Sequence, residues 1–444
     1  METESARETF GSRLGLLLTT VGVAVGLGNV WRFPYMAGEF GGSAFVALYL
    51  AAALLVGVPA LVAEWTLGRA TRRGPVGAFR RAGLPGGRAL GWLLFLTVAA
   101  ATAYYTNAVG WVVFHGLGQV AAAAGRPAGP EILPPETGVD PLSFGLQLAC
   151  TGALVWAAAA VLRRGLRAGI EAASKVLTPV LFATLGVLIL RAVTLDGAGE
   201  GLAWYILKFE PADLDGPVAL AALGQAVFSL ALGGTYMVVY GSHMDEEESL
   251  IADAAWTAAG DTCAGMLAGL AVFPAVFALG LAPGAGPELV FSTLPEVFQR
   301  LPGGHLFGAL FFLALAGGAF LSDLAAFEVM VAGLTDEAGL DRPGAILLVA
   351  GLVLLLSVPP MVNMRIFVPW DLAFGSGMQT FGALVAVLTV GWALDRGAAL
   401  GEMAREARRP PSRRRLRALH VWIRWVVPAA VLAVGAWWLA GEAA

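Results

Sequence analysis

The chain has 444 residues, 58% of them hydrophobic and only 14% charged, with a mean hydropathy of +0.74. A soluble chain of this length would suggest roughly three domains, whereas this composition is that of a chain that dissolves in lipid and excludes disorder, collagen and repeat solenoids. The formal charge of -4 averages scattered acids with arginine-rich clusters and argues nothing for nucleic acid. Cys150 and Cys263 are the only cysteines and lie inside apolar runs, so no disulfide framework, cysteine-rich metal site or redox role is expected.

The first twelve residues mix acids with Arg7, and the apolar run behind them continues past signal-peptide length with no small-residue cleavage pattern. It reads as a retained span. An apolar helix needs about 20 residues to cross the hydrocarbon, and such stretches recur at about 14–37, 43–67, 91–120, 144–162, 172–193, 219–240, 254–282, 304–334, 344–361, 370–394 and 418–440, eleven in all. Positive loops stay on the cytoplasmic side. The loop after the second stretch carries Arg72, Arg73, Arg80, Arg81 and Arg88, the one after the fourth Arg163, Arg164, Arg167 and Lys175, and the one after the tenth the run from Arg405 to Arg417. The opposite loops hold only Arg126, Lys208 and Arg300. This places the chain in the cell (inner) membrane as a multi-pass protein, with its N-terminus cytoplasmic and its C-terminus outside. The loop 241–253 departs from the pattern through Asp245, Glu246, Glu247 and Glu248, but acids weigh little in the rule.

Two of the stretches are interrupted. Gly22, Gly26 and Gly28 break the first, with Asn29, Arg32 and Pro34 following; in the sixth, Gln225 and Ser229 precede Gly233, Gly234 and Thr235. Glycine costs a helix about 1 kcal/mol per residue relative to alanine, and unwound backbone at membrane depth is tolerated only around a polar cavity or within protein. Breaks at corresponding positions one and six imply two five-helix halves with a site between them near the midplane. Close helix packing through small residues is the alternative reading of the glycines.

The string Gly22-Val-Ala-Val-Gly-Leu-Gly-Asn-Val-Trp-Arg-Phe-Pro34 resembles the first helix of neurotransmitter:sodium symporters, and the chain is similar to their prokaryotic amino-acid transporter branch. Further matches are GGSAFVALYL and GVPALVAEWTLGR over the second span, AYY in the third, GIEAASKVLTP entering the fifth, GQAVFSLALG in the sixth and FSTLPEVF before the eighth. The resemblance implies an all-α polytopic fold with about eleven transmembrane helices. Its 5+5 inverted-repeat core would have broken helices 1 and 6. The ten-helix core would occupy 1–394, with repeats over about 10–193 and 219–394, and 395–444 would supply a basic cytoplasmic loop and a peripheral eleventh helix. The implied activity is sodium-coupled symport of an amino acid by alternating access, with membrane lipid and a small-molecule solute as partners and no nucleic acid.

Carried over residue by residue, the resemblance implies a first sodium site from the Ala24 carbonyl, Asn29, Ser229 and Asp261, completed by the substrate carboxylate. A helix-end cap is the alternative reading of Asp261, against which stands its place well inside an apolar run. Chloride-dependent members bind a halide here; Tyr49, Gln225 and Ser229 match its surroundings, but Gly265 lacks the hydroxyl, so Asp261 is expected to supply a fixed charge and chloride not to be required. A second sodium site would use carbonyls of Gly22, Val25 and Gly318 with the Ser322 hydroxyl, giving one or two ions in total. Leu321 stands where a threonine or aspartate is usual, so either the helix is rotated for Asp323 to help or this site is weak or lost.

The substrate carboxylate would meet amides of Leu27 and Gly28 and the Tyr105 hydroxyl, and the amine would meet carbonyls of Ala24, Phe228 and Ser229; Val23, Ala231, Ser322 and Ala326 complete the candidate pocket. Tyr104 and Tyr105 as a pair could also be an aromatic belt. Arg32 and Asp371 match the outer gate and Arg7 and Asp336 the inner latch, although loop charge alone explains such residues. Glu64 and Glu328 read as buried structural partners. Ala101, Gly234 and Ala326 align with larger groups in the bacterial leucine transporter, which predicts a bulky or aromatic amino acid; if Phe320, Phe327 or Met237 refills the space, a small aliphatic one such as leucine or alanine is expected instead. An intramembrane enzyme is disfavoured because His-Glu-x-x-His and Gly-x-Ser-x-Gly are absent and His115, His243, His305 and His420 are far apart. A channel is disfavoured by the unequal broken spans and paired gate charges.

Overall fold

The computed structural model describes residues 8–126, 129–209, 213–283, 298–299, 303–405 and 411–442. Arg7 of the expected latch, and all of the FSTLPEVF motif except Phe298, lie outside them. The helices, in chain order, are α1 (Arg13–Ala24), α2 (Gly28–Glu39), α3 (Ser43–Thr71), α4 (Pro75–Arg81), α5 (Gly87–Ala123), α6 (Pro141–Leu162), α7 (Leu166–Val193), α8 (198–207), α9 (Gly216–Ser229), α10 (Tyr236–Ser242), α11 (Leu250–Ala278), α12 (Gly304–Ala338), α13 (Arg342–Met361), α14 (Met364–Ala393), α15 (Arg396–Ala404) and α16 (Arg413–Trp437).

Local chemistry sets many of the ends. Ser12, Asp140, Asp215 and Ser249 cap α1, α6, α9 and α11 by accepting backbone N–H groups, which satisfies donors that a helix start leaves bare. Among the described residues, nine helices are long and apolar enough to span a membrane, and α1 with α2 makes a tenth, bent by 54°. The expected stretch 219–240 is no continuous helix: α9 and α10 occupy it with 230–235 unwound between them. The length-and-composition count therefore stands at ten, and the sixth stretch reaches helix only in two short pieces.

Burial separates centre from rim. In α12, 72% of the most apolar window is buried, against 28% in α6 and 33% in α16, so α12 and its neighbour α5 form the middle while α6 and α16 face outward. Helices α3 and α10 touch backbone to backbone: a methyl at Gly241 would sit 2.7 Å from Trp65 Cα, and one at Gly68 would run into the Val238 carbonyl.

Candidate functional site

The two breaks meet. Helix α1 ends at Ala24, with Val25 extended, and the chain turns helical again at Gly28. Opposite it, Ala231 (φ 52°), Gly233 (φ 84°) and Thr235 (φ 57°) all occupy the left-handed region, a conformation that costs the two non-glycine residues roughly 1 kcal/mol or more each and persists only where surroundings enforce it. Gln225 ties the breaks together by donating from Nε2 to the Gly28 carbonyl at 2.8 Å. Glu64 accepts the Gly233 N–H at 2.8 Å and is fully buried.

Beside the breaks is a polar cluster centred on Asp261 of α11. Ser229 Oγ lies 2.9 Å from both carboxylate oxygens. Tyr49 donates to Oδ2 at 3.1 Å. The Asn29 amide nitrogen faces Asp261 Oδ1 at 2.7 Å, the Asp261 carbonyl at 2.9 Å and Ser229 Oγ at 2.9 Å. That nitrogen has two protons for three acceptors, and the buried Asn29 Oδ1 has no partner. An orphaned amide oxygen next to a buried carboxylate and a hydroxyl is the donor set a hard monovalent cation takes. The sequence residues Asn29, Ser229 and Asp261 are thus brought together. Gly265 is covered by Phe33, whose ring would lie 3.2 Å from a methyl placed there.

A second group lies on the other side of the break. A methyl on Gly318 of α12 would stand 2.9 Å from the Val25 carbonyl, and Gly22 packs against Leu321 of the same helix. Ser322 donates to the Val23 carbonyl at 2.8 Å. Leu321 reaches Gly22, where its Cδ1 would be 2.7 Å from an added methyl, beside the Thr178 hydroxyl at 2.6 Å. Asp323 does not turn toward this group; its Oδ1 is 3.2 Å from the Thr106 hydroxyl on α5.

Between the breaks lies a cavity of about 60 Å³. It is bordered by Val23, Ala24, Gly28, Ala101, Tyr105, Phe228, Ala231, Ser322 and Ala326 from the expected set. Leu27 belongs to the gate side, where its N–H donates to the Tyr105 hydroxyl at 3.4 Å. Gly234 does not border the cavity, because the Tyr236 ring folds over it. Gly26, Thr102, Tyr104, Tyr236, Asp323 and Gln379 border the cavity without having been expected there; Tyr236 and Gln379 were signalled only by lying at a break and mid-span.

A further cavity of about 110 Å³ opens above Phe228 and contains both Arg32 and Asp371. No ion pair joins these two among the described residues; the Arg32 guanidinium sits 4.3 Å from the centre of the Phe228 ring instead, a cation–π contact. Asp336 accepts from the Gly74 N–H at 2.5 Å. Glu328 is held by Arg342 at 2.6 and 3.0 Å. Among the described residues, no group of three or more His, Cys, Asp or Glu side chains could hold a metal, so any ion here would rely on carbonyls, hydroxyls and amides beside the single carboxylate of Asp261.

The sequence matches the sodium:neurotransmitter symporter family over residues 7–121 and 142–395. An uncharacterised sodium-dependent transporter of Haemophilus influenzae is 32% identical across 87% of this chain and 90% of its own length. Another from Bacillus subtilis is 30% identical across 96% of both. Among solved structures, MhsT in complex with L-phenylalanine superposes with a TM-score of 0.82 at 31% identity, covering 96% of this chain and 99% of that one.

Proposed function

The chain belongs to the sodium:neurotransmitter symporter family, whose members are transporters and not enzymes, and we propose that it couples sodium to the movement of a bulky hydrophobic amino acid, aromatic ones first. The observation that carries this reading is the meeting of two unwound segments at a cavity with the Asp261 cluster beside it. L-phenylalanine in the similar MhsT complex supports the substrate class. Residues 1–394 act as the transport core, with the arginine-rich loops cytoplasmic and 395–444 peripheral.

In this mechanism the ion and the amino acid arrive as joint cargo. Asn29, Ser229, Asp261 and the Ala24 carbonyl hold sodium, and the solute carboxylate completes the shell, so neither binds well alone. The amides at the start of α2 favour that carboxylate because a helix N-terminus carries a partial positive charge. Tyr105 adds its hydroxyl. Asp261 supplies the negative charge that a halide would otherwise bring, and chloride is not needed. Leu321 leaves the second group short of an oxygen, so one ion does the coupling. A tenfold gradient and 100 mV together supply about 3.7 kcal/mol per ion, enough to concentrate a zwitterion several hundredfold. Arg32 and Asp371 share a cavity unpaired and close together once solute fills the space below; an exposed pair is worth about 0–1 kcal/mol, which suits a contact that must open again.

The second reading, a small aliphatic amino acid such as leucine or alanine, draws on Tyr236 filling the space over Gly234. Uptake of a labelled amino-acid panel into proteoliposomes, with and without sodium, separates the two. Sodium-dependent accumulation led by tryptophan, phenylalanine or tyrosine is expected; a lead for glycine or alanine would overturn the bulky-substrate reading, and uptake indifferent to sodium would overturn coupling.

A further inference from the structure

The cavity is bordered by a carboxyl group, distinct from Asp261, to which no role has yet been given. Asp323 borders the space between the breaks and is 1% exposed. Its Oδ1 lies 3.2 Å from the Thr106 hydroxyl, but that hydroxyl is only 2.7 Å from the Thr102 carbonyl. One hydroxyl has one proton, and the shorter bond takes it. Oδ2 has no partner. None of the ion pairs among the described residues includes Asp323.

A buried carboxyl group without a donor is costly unless something supplies one. The second ion group does not, since Ser322 points at the Val23 carbonyl and the next residue along α12 lies about 100° around the helix. What Asp323 faces is the cavity, whose other walls include the rings of Tyr236, Tyr104 and Phe228 and the methyls of Ala101 and Ala326. A largely aromatic and aliphatic wall with one carboxyl oxygen left without a partner fits a ring that carries a single donor. We propose that Asp323 accepts a hydrogen bond from the end of the transported side chain, so that among bulky amino acids the protein selects those with a ring N–H or O–H: indole, imidazole or phenol.

This deepens the bulky-substrate reading and rests on it. A site built to pair with a donor rejects the analogue that lacks it far more strongly than an apolar pocket rejects a missing methylene. The test is displacement of tritiated phenylalanine from the purified protein in sodium. Tryptophan should compete at least about tenfold better than 3-benzothienylalanine, in which sulfur replaces the indole N–H, and tyrosine should compete better than phenylalanine. Asp323→Ala should bring both ratios to within about twofold, and Asp323→Asn, which keeps a carbonyl oxygen as acceptor, should fall between wild type and Asp323→Ala. Wild-type ratios near one, ratios unchanged in Asp323→Ala, or a preference for lysine over tryptophan would each overturn the proposal. The wild-type comparison decides even where a variant does not fold. If the donor-free rings still outcompete alanine, the bulky-substrate reading survives that failure; if alanine outcompetes every ring, it is that reading which fails.

Discussion

Two polar groups flank the unwound residues between α1 and α2, and they are furnished differently. Around Asp261, four side chains converge from four helices: Asn29, Tyr49, Ser229 and the carboxylate itself, with an amide oxygen left bare. Around Gly318 the offer is backbone carbonyl and two hydroxyls, both already engaged, Ser322 with the Val23 carbonyl and Thr178 with that of Leu18, while Leu321 brings a methyl to Gly22. A sodium ion gives up its hydration only where oxygen ligands replace it, and a full charge in the shell offsets a desolvation that dipoles alone offset poorly. Two polar groups on either side of one break thus differ, through one carboxylate and one leucine, in what they offer a cation.

The largest effect should come from removing the carboxylate. Asp261→Ala is expected to weaken sodium-dependent amino-acid binding at least about a hundredfold, while replacing chloride by gluconate leaves wild-type uptake unchanged. Uptake that survives the substitution, or that stops in gluconate, would erase the distinction between the groups. A smaller change should come from mending the other side. Leu321→Thr adds the missing oxygen beside Gly22, and the sodium dependence of uptake should steepen from a Hill coefficient of about one toward two, with a few-fold gain in apparent sodium affinity. A wild type already near two would mean that Gly22, Val25, Gly318 and Ser322 suffice without it.

The smallest effect is a control on charge outside both groups. Glu248, in the acidic loop before α11, is pushed up to about 7 by partial burial and then by the nearby Asp253, against the pull of Arg13. A carboxyl whose value is raised on folding favours the folded state most below its unfolded value near 4.3, and that contribution is lost as pH rises through about 7. Thermal stability should therefore fall slightly between pH 6 and pH 8, and Glu248→Gln should flatten the slope. A slope that persists in Glu248→Gln would assign the titration to another group and make the Asp261 cluster the next place to look.

Much of this was legible in the chain. Glycines at 22, 26 and 28 and at 233 and 234 marked both breaks because unwinding needs residues that tolerate it, and Asp261 stood out as an acid within an apolar run. The sixth span shows where legibility ended: Ala231 and Thr235 adopt left-handed backbone although neither is a residue that announces it. Side-chain direction was equally hidden. Whether Asp323 served the second group or the cavity depended on the phase of α12, and the refilling of the space over Gly234 fell to Tyr236, not to Phe320, Phe327 or Met237, because a residue just past a break can fold its ring back along the chain. Periodicity places a residue on a face; it does not choose a rotamer.

The contact between α3 and α10 bears on how any of this can move. With Gly68 against the Val238 carbonyl and Gly241 against Trp65, the two helices leave no side-chain layer between them to shear. Glu64, also on α3, grips the Gly233 N–H inside the unwound segment. The segment is thus welded to α3 at one end and pinned to it in the middle, like a hook fixed to a lever. A tilt of α3 would carry the segment with it and reshape the cavity that Ala231 borders, against the close backbone contact of Gly233 with α14.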